Sequence, residues 1–256
     1  MKITIVTVCL NSESTIEWAL ESIAAQSYKN LEHIVVDGGS KDATVTLIHG
    51  WKKHPVRLIS ERDKGIFDAM NKGIALATGD VVGILNSDDA YYDRDILKKV
   101  AKTMNAPSVD ACYADLIYVE KNNLHKIFRY WKASPFEKGL FRKGWVPPHP
   151  TFFVHRRIYE KYGLFDLDYS LAADFELMAR FLERFQIKAT YIPQIFVKMC
   201  SGGVSNKSLF NIIRQNFEIY QAIKKNNLRF YFFPFVFTKL ISRLRQYFSK
   251  PSASDR

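Results

Sequence analysis

Cysteine is scarce. The 256 residues hold three, Cys9, Cys112 and Cys200, an odd and scattered set that supplies neither a disulfide framework nor metal-ligand spacing and points to a reducing compartment. No run of 18 apolar residues occurs, so no membrane-spanning helix is expected. The six histidines, His33, His49, His54, His125, His149 and His155, show no ligand spacing. Neither G-x-G-x-x-G after a strand nor G-x-x-x-x-G-K-[ST] is present, which takes most of the weight from dinucleotide and P-loop readings. Met1 and Lys2 run straight into a strand-like stretch with no small-residue cleavage site behind it, so no cleaved leader is expected.

What is present is the composition of a globular protein with a real core. Apolar residues make up 47% and charged residues 25%. This excludes disorder, collagen and coiled-coil arrays, and the length fits one large domain with or without an appendage. The formal charge of +11 is unevenly placed. Residues 206–256 carry ten Lys and Arg against two Asp and Glu, a net of +8, and 11 of the 36 aromatic residues. The rest of the chain is nearly neutral.

Short β-branched runs alternate with helical periodicity from residue 2 to about 97. Residues 3–10, 33–37, 56–60 and 81–85 read as strands. Residues 14–24, 42–51, 66–77 and 94–104 read as helices, the first opened by a Ser14-x-x-Glu17 capping box. Near-continuous apolar strands alternating with helices predict an α/β fold, a parallel sheet covered on both faces. After about residue 110 the alternation weakens. Residues 111–119 and 125–131 read as strands, antiparallel to each other, and residues 172–185 as a helix.

Ligands of open α/β sheets bind at the carboxyl ends of the strands. Three polar clusters fall there: residues 8–11, Asp37-Gly38-Gly39-Ser40, and Asn86-Ser87-Asp88-Asp89. Adjacent carboxylates suit Mg²⁺ or Mn²⁺, which bridge phosphate oxygens; a solvated turn opening the next helix is the plainer alternative. In the helix over 172–185, Asp174 stands on the stripe of Met178, Phe181 and Phe185, with Glu176, Arg180 and Glu183 opposite. It reads either as a capping acid favoured by the helix dipole or as a general base at the edge of a cleft.

Taken in order, Asn11, VVDGGSKD (35–42), DKGIFDAMNKGIALATGD (63–80), LNSDD (85–89) and AADFELMARF (172–181) resemble the family-2 inverting glycosyltransferases, of the subgroup that assembles bacterial surface polysaccharide such as lipopolysaccharide O-antigen. The resemblance runs from about residue 3 to 205. It implies the GT-A fold, a Rossmann-like, mostly parallel sheet flanked by helices. Residues 1–109 would form the nucleotide-sugar half, 110–205 the acceptor half, and 206–256 an amphipathic, basic and aromatic C-terminal region. The implied activity is that of a metal-dependent, inverting hexosyltransferase. A sugar would pass from a UDP-type donor to a hydroxyl of a glycan or of a polyprenyl-diphosphate-linked sugar. By the same resemblance Thr7, Val8, Asn11, Asp37, Asp63, Asn71, Ser87 and Asp88 would bind the nucleotide sugar. Asp89, helped by Asp88, would hold Mn²⁺ or Mg²⁺, Asp174 would be the catalytic base, and His149 would contact the acceptor.

Leu209, Ile212, Ile213, Phe217, Tyr220 and Ile223 make one helical face in the tail, followed by the aromatic run over 230–237 and by Lys239, Arg243 and Arg245. A helix docked on the domain fits this pattern. The favoured expectation is an interfacial anchor on an anionic membrane, which makes the protein cytoplasmic and peripheral on the inner membrane. The donor, metal and base motifs all precede residue 206, so a chain ending at residue 205 is expected to be less membrane-associated yet still to turn over UDP-sugar slowly. Two other activities compete. A sugar-nucleotide nucleotidyltransferase would want a Gly-rich basic loop near the N-terminus, which is lacking. A non-enzymatic membrane- or nucleic-acid-binding module is prompted by the high pI, but no nucleic-acid motif is present and no nucleic-acid partner is expected.

Overall fold

A computed structural model describes residues 1–120, 123–200, 209–249 and 251–252. Its strands form one sheet in the order β3-β2-β1-β4-β8-β6-β9-β5, with β7 paired to β6. β1 (Ile3–Cys9), β2 (Leu31–Asp37), β3 (Arg57–Ser60) and β4 (Val81–Ile84) run parallel, as their apolar character predicts. Beyond β4 the sheet is mixed. β8 (Phe153–His155) is antiparallel to β4 and to β6 (Ala111–Glu120), and β9 (Ala189–Cys200) is parallel to β6. β5 (Asp89–Tyr91) is antiparallel to β9, and β7 (Asn123–Trp131) to β6. The sheet is therefore continuous from residue 3 to residue 200 with no break near 110.

Alternation along β1 sends Ile3 and Ile5 to one face and Val6 and Val8 to the other. α1 (Ile16–Ala24) and α4 (Ile96–Met104) cover the first face; α3 (Ile66–Leu76), α5 (Arg156–Tyr162) and α6 (Ala173–Ala179) cover the second. α2 (Thr44–Gly50) sets Ile48 against Ile16 and Leu20. The expected capping box does not form. The Ser12 carbonyl accepts from Thr15 and Ile16 N–H at 3.0 and 2.9 Å and closes the first turn of α1, so no side chain is needed there.

The helix predicted over 172–185 is α helix only through Ala179; residues 180–184 form a wider π turn, closed by Phe185 N–H donating to Arg180 O at 3.0 Å. Its polar side is not solvated. Glu176 and Glu183 are both buried. Glu183 Oε1 accepts from Gly139 and Phe141 N–H at 2.7 and 3.2 Å, and Glu176 holds Arg180 and Asn226. Gly139 and Phe141 belong to the loop before residue 142, and Asn226 follows the first C-terminal helix.

The tail docks on the domain. α7 (Leu209–Lys225) buries Ile219, Ala222 and Ile223, and Asn226 just after it, in the main core. The docked face overlaps the stripe the sequence pattern favours only at Ile223: Ile213 and Phe217 of that stripe, and Phe210 beside it, are 69%, 58% and 71% exposed. Glu218 turned the helix. It accepts from Ser170 Oγ, Leu171 N–H and Ala172 N–H at 2.8, 2.7 and 3.0 Å, so it must face inward. α8 (Phe232–Phe248) then crosses β7 and the loop at 141–144. Residues 1–205 alone would leave part of this core bare, so self-sufficiency of that segment is not expected. The boundary at 206 lies outside the described residues.

Candidate active site

Parallel register aligns the ends of β1, β2 and β3, pairing Cys9 with Asp37 and Asp37 with Ser60. Asp37 is fully buried there. Ser60 Oγ donates to it at 2.7 Å, Gly39 and Ser40 N–H at 3.1 and 3.0 Å, and Ser40 Oγ donates as well. Burial raises the pKa of this carboxyl, but the hydrogen bonds from Ser40, Ser60 and Gly39 outweigh it and hold the group below the usual range. Ser40 belongs to the polar cluster read from the sequence, but Ser60 was not singled out; a serine closing the strand beside an Asp-ended strand is the signal, visible only with the register known.

The loops after β1 and β2 are stapled together. Asn11 N–H donates to Ser40 Oγ at 2.8 Å, and Asn11 Oδ1 accepts from Lys41 N–H at 2.9 Å. Asn11 is exposed and takes a left-handed φ of 50°. A Cβ at position 38 would strike the carboxylate of Asp63, so Gly38 is what lets Asp63 lie over this loop. Asp37, Asp63 and Asn11 thus gather around the loop at residues 38–41.

Thr7, Val8, Ser87 and Asn71 stand differently from their predicted binding roles. Thr7 is fully buried with Oγ1 on His33 Nε2 at 3.0 Å. Val8 offers its carbonyl to Ser87 N–H at 3.3 Å, and Ser87 Oγ meets Ser12 Oγ at 2.9 Å. Asn71 spends both ends of its amide on the backbone of Phe165, at 2.8 and 2.9 Å. These four contribute to the walls of the site through those contacts.

In the acidic turn the two carboxylates are not equivalent. Asp88 is partly exposed, whereas Asp89 opens β5 opposite Met199 and is 1% exposed. Burial and then the Asp88 charge push the Asp89 pKa well above the carboxylate range. Asp89 Oδ2 accepts from Asn86 Nδ2 at 3.2 Å, yet Asp89 Oδ1 and Asn86 Oδ1 have no hydrogen-bond partner among the described residues. Orphaned hard oxygens behind an accessible carboxylate fit a divalent cation. Asp88 is thus the outer and Asp89 the inner carboxylate of the pair.

Asp174 is partly exposed in the first turn of α6, with Oδ1 accepting from Phe175 N–H at 2.8 Å. A chain of rings links it to the nucleoside side. Phe67, just beyond Asp63, stacks on Phe165 at 5.4 Å, and Phe165 meets the edge of His149 at 5.6 Å. Burial lowers the His149 pKa, and the neighbouring Asp174 charge partly offsets this. The Asp174 charge is thus felt at His149.

Residues 4–163 match the family described as Glycosyl transferase family 2. The chain is 33% identical over 180 residues to an uncharacterized glycosyltransferase of Mycobacterium tuberculosis, covering 70% of this chain and 68% of that protein. It is 32% identical over 203 residues to a PGL/p-HBAD biosynthesis glycosyltransferase of Mycobacterium bovis, covering 77% and 76%. Among solved structures, residues 1–349 of S. aureus TarS superpose with a TM-score of 0.66 at 16% identity, over 97% of this chain and 72% of that one. The mannosyltransferase PcManGT of Pyrobaculum calidifontis, solved with GDP-Man and Mn²⁺, gives 0.66 at 21%, over 94% and 69%. These structural likenesses show a shared GT-A fold.

Proposed function

The chain belongs to glycosyl transferase family 2, and from that membership we propose an inverting, metal-assisted transferase that moves a sugar from a UDP-type donor to a hydroxyl of a glycan or lipid-diphosphate-linked acceptor. That it is a glycosyltransferase follows from the family; donor, acceptor and stereochemistry are our reading. Fold neighbours solved with UDP, UDP-GlcNAc and GDP-Man support a sugar-nucleotide donor. The observation that supports the reading is the run of rings Phe67, Phe165 and His149, which begins just beyond Asp63 and ends on a histidine that senses the Asp174 charge.

Asp37 and Asp63 would accept hydrogen bonds from the nucleoside, with Asn11 at the rim. The acceptor hydroxyl oxygen would attack the anomeric carbon as the bond to the diphosphate oxygen breaks, and its proton would pass to an Asp174 carboxylate oxygen. Asp88, backed by Asp89 and Asn86, would hold Mn²⁺ or Mg²⁺, which when bound offsets charge developing on the leaving diphosphate. The exposed apolar stripe of α7, with Phe237, Leu244 and Phe248 exposed on α8, supports a peripheral seat on an anionic membrane, at the cytoplasmic face in our reading. No helix among the described residues is long and apolar enough to cross a membrane.

UDP-sugar turnover across a donor panel, with and without Mn²⁺, tests the reading. Asp174→Asn is expected to keep UDP affinity and lose about 10²–10⁴-fold in transfer. Transfer within a few-fold of wild type would remove Asp174 from the role of base.

A further inference from the structure

Three side chains of α7 reach back to one short segment, the loop that leads into α6 and Asp174. Glu218 Oε2 accepts from Leu171 and Ala172 N–H at 2.7 and 3.0 Å, and Glu218 Oε1 accepts from Ser170 Oγ at 2.8 Å. Gln215 Nε2 donates to Leu171 O at 3.3 Å. Lys225 Nζ pairs with Asp166 and lies 3.6 Å from Asp168 Oδ2. Positions 215, 218 and 225 fall on one edge of a helix, the inward edge that also carries the fully buried Ala222. Glu218 is itself 5% exposed, a carboxylate withdrawn from water and matched by hydrogen bonds to this loop and to Arg214 Nε at 3.3 Å.

What Glu218 grips is the start of α6. Ala172 is the N-cap residue of that helix and has no side-chain acceptor to offer. The acceptor comes instead from α7, 46 residues further along the chain. Asp174 stands two residues beyond Ala172 and spends Oδ1 on Phe175 N–H at 2.8 Å, so its place follows from where the first turn begins. A second grip lies one residue past Phe175, where Glu176 Oε1 accepts from Asn226 Nδ2 at 3.1 Å. The nucleoside side is built differently. The hydrogen bonds described above for Asp37 and Asn11 come from residues 39–41 and 60, none of them on α7.

We propose that Glu218 is a positioning residue for Asp174: by holding residues 170–172 it fixes where α6 begins, and so where the base stands relative to the acceptor hydroxyl. The C-terminal helix is then part of the working transferase. The proposal rests on the transferase reading above, in which Asp174 takes the acceptor proton. A reacting group misplaced by about 1 Å costs on the order of 10²-fold in rate, whereas donor affinity, set by residues that α7 does not touch, is left alone.

Hydrolysis of the UDP-sugar that wild type turns over fastest, by the full chain with Mn²⁺, reads the effect. Glu218→Met keeps the bulk and removes the acceptors; it is expected to lower kcat at least about tenfold, with KM for the UDP-sugar within about threefold of wild type. Glu218→Gln can still accept from both N–H groups and donate to Ser170 Oγ, and is expected to restore kcat to within about threefold of wild type. In an Asp174→Asn background Glu218→Met is expected to cost no more than about twofold further, because a residue that acts through the base has nothing left to act on. Should Glu218→Met fail to fold, Ser170→Ala/Gln215→Ala loosens the same grip without orphaning the Glu218 carboxylate, and is expected to lower kcat at least about threefold at unchanged melting temperature. Hydrogen exchange of residues 170–176, read without turnover, is expected to quicken in the same variants while that of residues 37–41 does not. Unchanged exchange at 170–176, unchanged kcat, or an equal loss with and without Asp174 overturns the proposal. KM rising in step with the fall in kcat means a general structural role and also overturns it. An Asp174→Asn chain as fast as wild type overturns the base assignment and the proposal with it. Unchanged kcat in the Glu218 variants beside a slowed Asp174→Asn overturns the proposal alone, so the two failures are distinguishable.

Discussion

Asp37 holds its charge in a buried place because four donors from its own loop and a neighbouring strand converge on it. The cost of desolvation is met by hydrogen bonds preformed before any ligand arrives, so the loop needs little rearrangement to bind one. Asp63 depends on an absence instead, the missing side chain at position 38. Gly38→Ala is therefore expected to displace the Asp63 carboxylate, which is the mobile end of a side chain, more than it disturbs the backbone. UDP affinity should fall at least about tenfold, a loss of about 1.4 kcal/mol, with little change in melting temperature. Calorimetry and thermal unfolding of the same sample check both halves; unchanged affinity would remove Asp63 from the nucleoside side.

At the scale of elements, β2 and the segment after α2 are joined by a hydrogen-bonded relay. The Trp51 indole can only donate, and it donates to His54 Nδ1 at 2.9 Å. His54 then donates from Nε2 to His33 Nδ1 at 2.7 Å, and His33 from Nε2 to Thr7 Oγ1 at 3.0 Å. Both rings must be neutral for this order to hold. Burial, and then the neighbouring His54, lower the His33 pKa from 6.5 to about 3. The unfolded chain takes up this proton first as pH falls. The relay therefore stabilises the fold fully above pH 6.5 and is lost progressively toward pH 3. One such group contributes a slope of about 1.4 kcal/mol per pH unit in that window. Denaturant unfolding at several pH values should show it, and His33→Gln should flatten it; equal slopes would exclude His33 as the cause.

At the scale of the whole molecule, the C-terminal helices have two faces with different tasks. Ile219, Ala222 and Ile223 complete the core, while Phe210, Ile213 and Phe217 stay in solvent beside a tail that carries most of the net positive charge. Interfacial aromatics plus bases near an anionic surface, at about 1 kcal/mol per base, suffice for reversible membrane binding. Phe210→Ser/Ile213→Ser/Phe217→Ser is expected to reduce co-sedimentation with phosphatidylglycerol vesicles without lowering the melting temperature, and high salt should weaken wild-type binding. Equal pelleting of variant and wild type at low salt would assign the stripe another partner.

Much of the architecture was legible from the sequence. Strand and helix periods, the antiparallel β6–β7 pair, the order of the polar motifs at strand ends and the charge of the tail are properties of short windows of chain, and local sterics and amphipathicity dictate them. The site was legible only in part. Asp37 and Asp174 could be named from position in a motif. That Ser60 clamps Asp37, that Asp89 lies behind Asp88, and that Asn71 serves Phe165 depend on register between segments distant in the chain. The docked face of α7 shows the same limit most plainly. Periodicity marked one apolar face with Glu218 on the other side, and the docked face fell to Glu218, whose carboxylate had to reach three donors at residues 170–172, a demand set wholly by what the folded domain had left unpaired.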